Sequence, residues 1–76
     1  MAEHGDREEL YQRLRAALLR QADLRELRAW IDGRTAARSE LGQHGWPHDV
    51  VFLRETQAIL QWLDAEIAAV EKALDA

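Results

Sequence analysis

Residues 60–74 read LQWLDAEIAAVEKAL and carry the clearest pattern in the chain. A large aliphatic residue recurs every seven positions along a row that begins one repeat earlier, and its members are Leu53, Leu60, Ile67 and Leu74. Leu63 and Val70 occupy the companion positions, so the apolar spacing alternates between three and four residues from Leu60 onward. Such spacing forms the seam of a coiled coil or a supercoiled helix bundle. The pattern therefore predicts a long final helix.

A second apolar stripe widens the face of this predicted helix. Its members are Phe52, Ile59, Trp62, Ala69 and Ala73. Thr56 interrupts the companion row, so the heptad pattern covers about three repeats. Because an apolar face wider than one seam can contact more than one neighbouring helix, the pattern favours three or more helices around a common axis.

A turn precedes the final helix. Residues 42–47 read GQHGWP, which places two glycines and the only proline within six residues. Pro47 suits the first position of a helix, and Asp49 then lies where an acid can accept bonds from free N–H groups. We expect Trp46 to hold the turn onto a helix by apolar contact rather than to cap it. The predicted final helix spans 47–75.

Residues 6–41 are predicted to form a second helical segment. Apolar residues recur in it at helical spacing, namely Leu10, Leu14, Ala17, Leu18, Leu24, Leu27 and Ile31. Asp6 is a suitable N-cap, and Glu9 stands three residues later in the capping-box position. Residues 1–5, which are polar and end in Gly5, are expected to form a frayed tail.

Gly33 leaves two interpretations of this segment open. Glycine costs only about 1 kcal/mol inside a helix, so a single helix, with a kink near Gly33, can continue to about Leu41. Alternatively, Asp32 and Gly33 close the helix, with the glycine in the left-handed conformation. We favour the single helix, which makes the fold an antiparallel helical hairpin.

The composition supports an all-α fold in one domain, residues 1–76. The chain has thirteen alanines, eleven leucines and a single proline, which is typical of helical proteins. The absence of cysteine excludes disulfides, thiolate zinc sites and cysteine nucleophiles. No run approaches the roughly 20 apolar residues that span a bilayer, so we expect a cytoplasmic protein without membrane contact.

Charge is distributed unevenly along the chain. Segment 6–38 holds eight arginines against six acids, whereas segment 49–76 holds one arginine and one lysine against six acids. Helices of opposite charge favour each other as neighbours, within a chain or between chains. Arg34 and Arg38 are expected to be solvated or to pair with acids of the final helix, the alternative being an acidic partner or a phosphate. The net charge of −4 disfavours direct binding of nucleic acid by this chain alone.

Two helices joined by a tight turn cannot bury a double-width apolar face by themselves. The simplest remedy is a homodimer in which two hairpins form a four-helix bundle. A three-helix monomeric bundle is the alternative if the first segment breaks at Gly33. The residues predicted to form the dimer interface are Leu14, Leu24, Leu27, Leu53, Leu60, Leu63, Ile67, Val70 and Leu74.

The sequence offers little catalytic chemistry. His44 and His48 stand four apart, which suits a metal on one helix face, but Gly45 and Pro47 lie between them, so solvated turn residues are the better interpretation. Ser39 is the only serine and lies in no nucleophile elbow. We therefore expect no catalytic, cofactor-binding or metal-ligating residues, and no enzyme.

The leading hypothesis is thus a helical interaction module that self-associates and that can also bind a further protein partner. The alternative is a sensor of apolar or aromatic small molecules, because bundles often hold such ligands between helices. The chain has three tryptophans, and the candidate lining of a pocket near the turn is Trp30, Trp46, His44 and His48.

Two stretches resemble a known family. Residues 24–33, which read LRELRAWIDG, together with residues 60–74, are similar to the helical C-terminal regions of MerR- and PadR-type transcription regulators. No winged-helix DNA-binding portion accompanies them. In those families such helices pair two protomers and, in some members, help to enclose an effector. The resemblance implies a dimerisation module tied to transcription regulation.

Overall fold

The computed structural model describes the backbone of residues 2–76 and the side chains from Asp6 onward. Two helices make up the fold, α1 (Ala2–Glu40) and α2 (Pro47–Asp75), and the described residues contain no strand. The helices pack against each other as an antiparallel hairpin, a rod of 61 × 17 × 15 Å. The predicted all-α fold and its helical hairpin are confirmed.

Helix α1 differs from its prediction at both ends. It begins at Ala2 rather than at Asp6, so residues 2–5 are helical and do not form a tail, while Met1 lies outside the described residues. The reason is that Gly5 weakens a helix by about 1 kcal/mol without stopping it. At the other end, α1 stops at Glu40, one residue before Leu41.

Helix α1 continues through Gly33, so the interpretation in which the first segment breaks there is wrong, and with it the three-helix alternative. A Cβ atom added at Gly33 would meet nothing within 4 Å. No close approach of another chain segment therefore requires glycine at this position. The predicted kink stays a prediction.

The turn closes α1 through a glycine in the left-handed conformation, at Gly42 rather than Gly33. Gly42 has φ +74°, and its N–H donates to the Ser39 carbonyl at 3.0 Å. The N–H of Gln43 donates to the Arg38 carbonyl at 2.9 Å. These two bonds form a Schellman motif, which satisfies the last carbonyls of the helix.

The start of α2 follows the predicted pattern of proline at the first helical position. Trp46 precedes it in extended conformation, and its side chain makes no capping hydrogen bond. Its carbonyl accepts from the N–H groups of Asp49, at 3.0 Å, and Val50, at 3.2 Å. The first turn of α2 thus forms without a side-chain cap.

The core is a single line of contact between the two helices. Ala17, Leu63 and Ile67 form its buried centre, and the half-buried apolar residues packed against them are Leu14, Leu24, Ile59 and Leu60. Leu63 is 2% exposed. The innermost row of α2 repeats every seven residues through Asp49, Thr56, Leu63 and Val70. Thr56 is therefore a buried member of the companion row rather than an interruption of the contact.

A partly buried hydrogen-bond network accommodates Thr56, one of the two polar residues in this row. The Thr56 hydroxyl donates to the Phe52 carbonyl at 2.7 Å and accepts from Arg28 Nη1 at 2.8 Å. The same Arg28 nitrogen also donates to the carbonyl of Leu53. Because an unpaired polar group in this position would be costly, the network favours one alignment of α1 against α2.

Polar bonds also join the helices along the rod. Near its open end, Arg7 donates to the carbonyl of Leu74 at 3.1 Å, and further along Arg13 pairs with Glu66. The other such links run from Gln21 and Arg25 to Asp64, from Arg28 to Thr56 and from Arg34 to Asp49. In each of these links α1 supplies the donor and α2 the acceptor. The two segments therefore lie side by side, as their opposite charges predict.

Within residues 2–76, neither helix contains a segment both long and apolar enough to cross a membrane.

Replacement of the most central leucine should destabilise the hairpin strongly. Leu63→Ala removes a side chain that is 2% exposed, so we expect a loss of about 2–5 kcal/mol in the free energy of unfolding. Leu19→Ala, at a position 55% exposed, is the control and should change it by less than about 0.5 kcal/mol. Urea denaturation followed by circular dichroism measures both, and equal effects would contradict the described core.

Replacement by alanine should have opposite effects at Gly33 and Gly42. Gly33→Ala is expected to raise the free energy of unfolding by about 0.5–1 kcal/mol, because the added methyl meets open space within a helix. Gly42→Ala should lower it by about 1 kcal/mol or more, since φ is +74° there. The same denaturation experiment tests both variants. Destabilisation by Gly33→Ala would show that α1 is not regular at this residue.

Candidate functional site

A cluster of charged and aromatic side chains occupies the turn end of the hairpin. Helix α1 contributes Trp30, Arg34 and Arg38, which stand four residues apart and therefore share one side of the helix. The turn contributes Trp46, and the first turn of α2 contributes Asp49. We call these five residues the turn cluster.

The centre of the turn cluster is an ion pair. Arg34 Nε donates to Asp49 Oδ2 at 2.7 Å, and Arg34 Nη2 donates to Asp49 Oδ1. Asp49 is only 1% exposed, whereas the Arg34 side chain is about one-third exposed. The bidentate geometry makes this pair stronger than a single contact between the same charges. The pair joins the C-terminal part of α1 to the first turn of α2.

Aromatic rings surround the two guanidinium groups. The Arg34 guanidinium carbon lies 4.6 Å from the Trp30 ring centroid and 4.9 Å from that of Trp46. The Arg38 guanidinium lies 4.0 Å from the Trp46 centroid, within the range of a cation–π interaction. The His48 ring stacks on Trp46 at 6.2 Å. Trp46 thus holds the turn onto α1, as its position predicts, but through arginines rather than aliphatic side chains.

The electrostatics of the pair follow from its hydrogen bonds. The bonds from Arg34 hold the pKa of Asp49 below its usual value, although burial alone would raise it. The positive charges of Arg34 and Arg38 lower the Asp49 pKa further. The pKa of Arg34 is raised, chiefly by the same hydrogen bonds. Asp49 is therefore ionised at neutral pH, and both of its oxygens are engaged by Arg34.

Asp49 differs in role from the sequence-based expectation. Its position three residues after Trp46 predicts a carboxylate that accepts bonds from free N–H groups of the first turn. In the structure the carboxylate pairs with Arg34 instead, which agrees with the expectation that this arginine meets an acid of the final helix. The signal in the sequence is the seven-residue row of Leu63 and Val70, which reaches Asp49 through Thr56.

The predicted small-molecule pocket takes a different form from the one expected. Trp30 and Trp46 do come together, but both contact the guanidinium of Arg34, so a ligand between the indoles would have to displace it. His48 lies against Trp46, and His44 contributes its carbonyl, which accepts from Arg38 Nε at 2.8 Å. The described residues contain no group of three histidine, aspartate or glutamate side chains placed to hold a metal ion.

A second feature is an apolar surface on one side of the rod. On α1 it includes Ala16, Leu27 and Trp30, which follow helical spacing, and on α2 it includes Ile59 and Trp62. Leu27 is 48% exposed, and both tryptophans are 63% exposed. We call these five residues the tryptophan face.

An open cleft lies beside Trp62 on this face. Its volume is about 400 Å³, and its lining is mostly apolar. The residues that line it come from both helices and are Arg13, Ala16, Ala17, Arg20, Trp62, Leu63 and Glu66. A second cleft of about 480 Å³ lies further along α1, between Trp30, Leu27, Asp23 and Glu26. Each exposed indole of the tryptophan face therefore stands beside a cleft.

The residues predicted to form an interface between chains lie mostly inside the hairpin. Leu63, Ile67 and Val70 are buried, and five others are half-buried, namely Leu14, Leu24, Leu53, Leu60 and Leu74. Of the nine, only Leu27 is exposed. Sequence reasoning missed the exposure of Trp62, although its place at the edge of the second stripe indicates it.

Comparison with known proteins adds no relative. No protein-family model matches the chain, and no significant match was found among curated proteins or solved structures.

The Arg34–Asp49 ion pair should stabilise the folded state at neutral pH and lose this effect in acid. Because the pKa of Asp49 is lowered in the folded state, its stabilisation is complete above the unfolded value of about 3.9 and is lost as pH falls through the folded value. Asp49→Asn should therefore lower the melting temperature at pH 7 by at least about 5 °C. This difference should disappear well below pH 4.

Asp32→Asn is the control, because Asp32 is an exposed carboxylate of the same chain. Its melting temperature should follow that of the unaltered protein at every pH, as measured by circular dichroism. An Asp49→Asn deficit that persists unchanged at pH 2 would show that ionisation of Asp49 does not stabilise the turn.

Proposed function

We propose that this chain is a non-enzymatic protein–protein interaction module that works as a homodimer, with two hairpins forming a four-helix bundle. The observation that carries the proposal is the amount of surface the single hairpin leaves exposed. A compact monomer of 8.7 kDa exposes about 4,700 Å², whereas this chain exposes 5884 Å². The difference, about 1,200 Å², is more than the roughly 800 Å² that each partner buries in a typical stable interface.

The shape of the chain supports the same conclusion. A compact domain of 76 residues has a radius of gyration of about 11 Å, and that of the hairpin is 17.3 Å. Each helix of a two-helix rod covers only one side of its neighbour, so the other sides remain exposed. A second hairpin converts the rod into a bundle in which each helix has two neighbours.

The size of the buried core points in the same direction. The apolar side chains that are buried among the described residues are Ala17, Ile31, Leu63, Ile67 and Val70. Domains of this length rarely obtain more than about 3–5 kcal/mol from a core of their own, and oligomerisation is a common remedy. Large apolar side chains, including Leu27 and Trp62, remain exposed and can add to a shared core.

The resemblance of residues 24–33 and 60–74 to MerR- and PadR-type C-terminal helices agrees with this proposal, since those helices pair protomers. A role tied to transcription regulation is part of the proposal on that ground. The arrangement of the turn cluster supports a structural use of its charged groups, because the carboxylate of Asp49 is engaged by Arg34.

Sedimentation equilibrium of the full chain tests the proposal. At about 100 μM we expect a mass near 17 kDa, twice the 8.7 kDa of the chain. The melting temperature should also rise with protein concentration, because association stabilises the folded state by mass action. A helical species of 8.7 kDa whose melting temperature is independent of concentration would refute the proposal.

A further inference from the structure

We infer that the tryptophan face is the surface on which the second copy docks, with the two-fold axis parallel to the rod. In this arrangement α1 of each copy lies antiparallel to α2 of the other, and both turns lie at the same end of the bundle. The inference rests on the proposed function and specifies the face and the orientation of its dimer.

The choice of face follows from which apolar groups the hairpin leaves exposed. Trp30 and Trp62 are both 63% exposed, and tryptophan is among the residues that contribute most to protein–protein interfaces. Arg20 lines the same cleft as Trp62. Trp30 is ten residues after Arg20 on α1 and therefore lies about 15 Å further along the rod. Two indoles and Leu27 therefore present apolar area over a substantial part of one side of the rod.

The cleft beside Trp62 favours a particular axis. Trp62 is on α2, and the α1 wall of its cleft is formed by Arg13, Ala16, Ala17 and Arg20, which extend over two turns of the helix. A two-fold axis parallel to the rod keeps each residue at its own height and exchanges the positions of α1 and α2. It therefore places Trp62 of the second copy over the α1 wall of the cleft in the first, and the reverse. The face is complementary to itself about this axis.

Charge distinguishes the same axis from its alternative. A two-fold axis across the rod would place α1 on α1 and α2 on α2. Helix α1 holds eight arginines and eight acids, whereas α2 holds two basic residues against six acids, so that arrangement brings the two acidic α2 helices together. The axis parallel to the rod places each acidic α2 against the arginine-rich α1 of the partner, which is the more favourable pairing.

Area decides between docking along the rod and docking at its end. The long side of the rod measures 61 × 17 Å, or about 1,000 Å², which exceeds the roughly 800 Å² that each partner buries in a typical interface. The end measures 17 × 15 Å, or about 250 Å², which is too little for a stable dimer. The second copy must therefore lie along the rod.

The chain offers a matched pair of leucines to test the face. Leu27 and Leu18 are on the same helix, are 48% and 45% exposed, and are nine residues apart, which places them on opposite sides of α1. We expect Leu27→Glu and Trp62→Glu each to raise the dimer dissociation constant at least tenfold in sedimentation experiments. Leu18→Glu should change it by less than about threefold. A dimer weakened by Leu18→Glu and not by Leu27→Glu would overturn the inference.

The orientation has a separate test that does not disturb the face. The chain has no cysteine, so Ala36→Cys introduces a single site for a nitroxide label, near the turn and exposed. Pulsed electron paramagnetic resonance should give a separation between the two labels of about 30 Å or less, since both turns lie at one end. A separation near 50 Å would mean that the turns lie at opposite ends and would overturn the inferred axis.

The two levels of the proposal fail in different ways. A monomer in sedimentation equilibrium contradicts the proposed function itself. A dimer whose labels are near 50 Å apart, or whose affinity ignores Leu27→Glu and Trp62→Glu, leaves the function standing and removes this docking surface.

Discussion

Two helices can cover each other along only one line of contact, and the rest of this structure follows from that constraint. The line runs through Ala17, Leu63 and Ile67 and leaves Trp30 and Trp62 exposed. The hairpin therefore has a defined fold but an incomplete core. Its large exposed area, its elongated shape and the proposal that a second copy completes the bundle all derive from this geometry.

Polar residues occupy part of the line, and they determine how the helices are aligned. Apolar contacts alone tolerate sliding, whereas a buried polar group requires its own partner. Arg28 meets Thr56 near the middle of the contact, and Arg34 meets Asp49 at the turn. Since a shift of one turn would separate both pairs, they favour a single register over its neighbours. The cost of burying them is offset by bidentate and aromatic contacts.

Much of the fold was predictable because its signals are local. The turn is marked by Gly42, Gly45 and Pro47 within six residues, and the helices by their apolar spacing. The start of α1 was predicted wrongly because a capping signal marks a favourable beginning without preventing further helix before it. The turn cluster was predictable only in part: the sequence brings Trp30 and Trp46 to the turn, but not the guanidinium of Arg34 that contacts both.

The sequence by itself determined the helical class, the position of the turn and the opposite charges of the two segments, because these depend on neighbouring residues and on composition. Only the tertiary structure decided which apolar row is buried inside the hairpin. Heptad spacing identifies a face but not its partner, since a neighbouring helix in the same chain and one in another chain satisfy it equally. In the structure, Leu63 and Val70 of α2 are buried within the hairpin, whereas Trp62 is exposed to solvent.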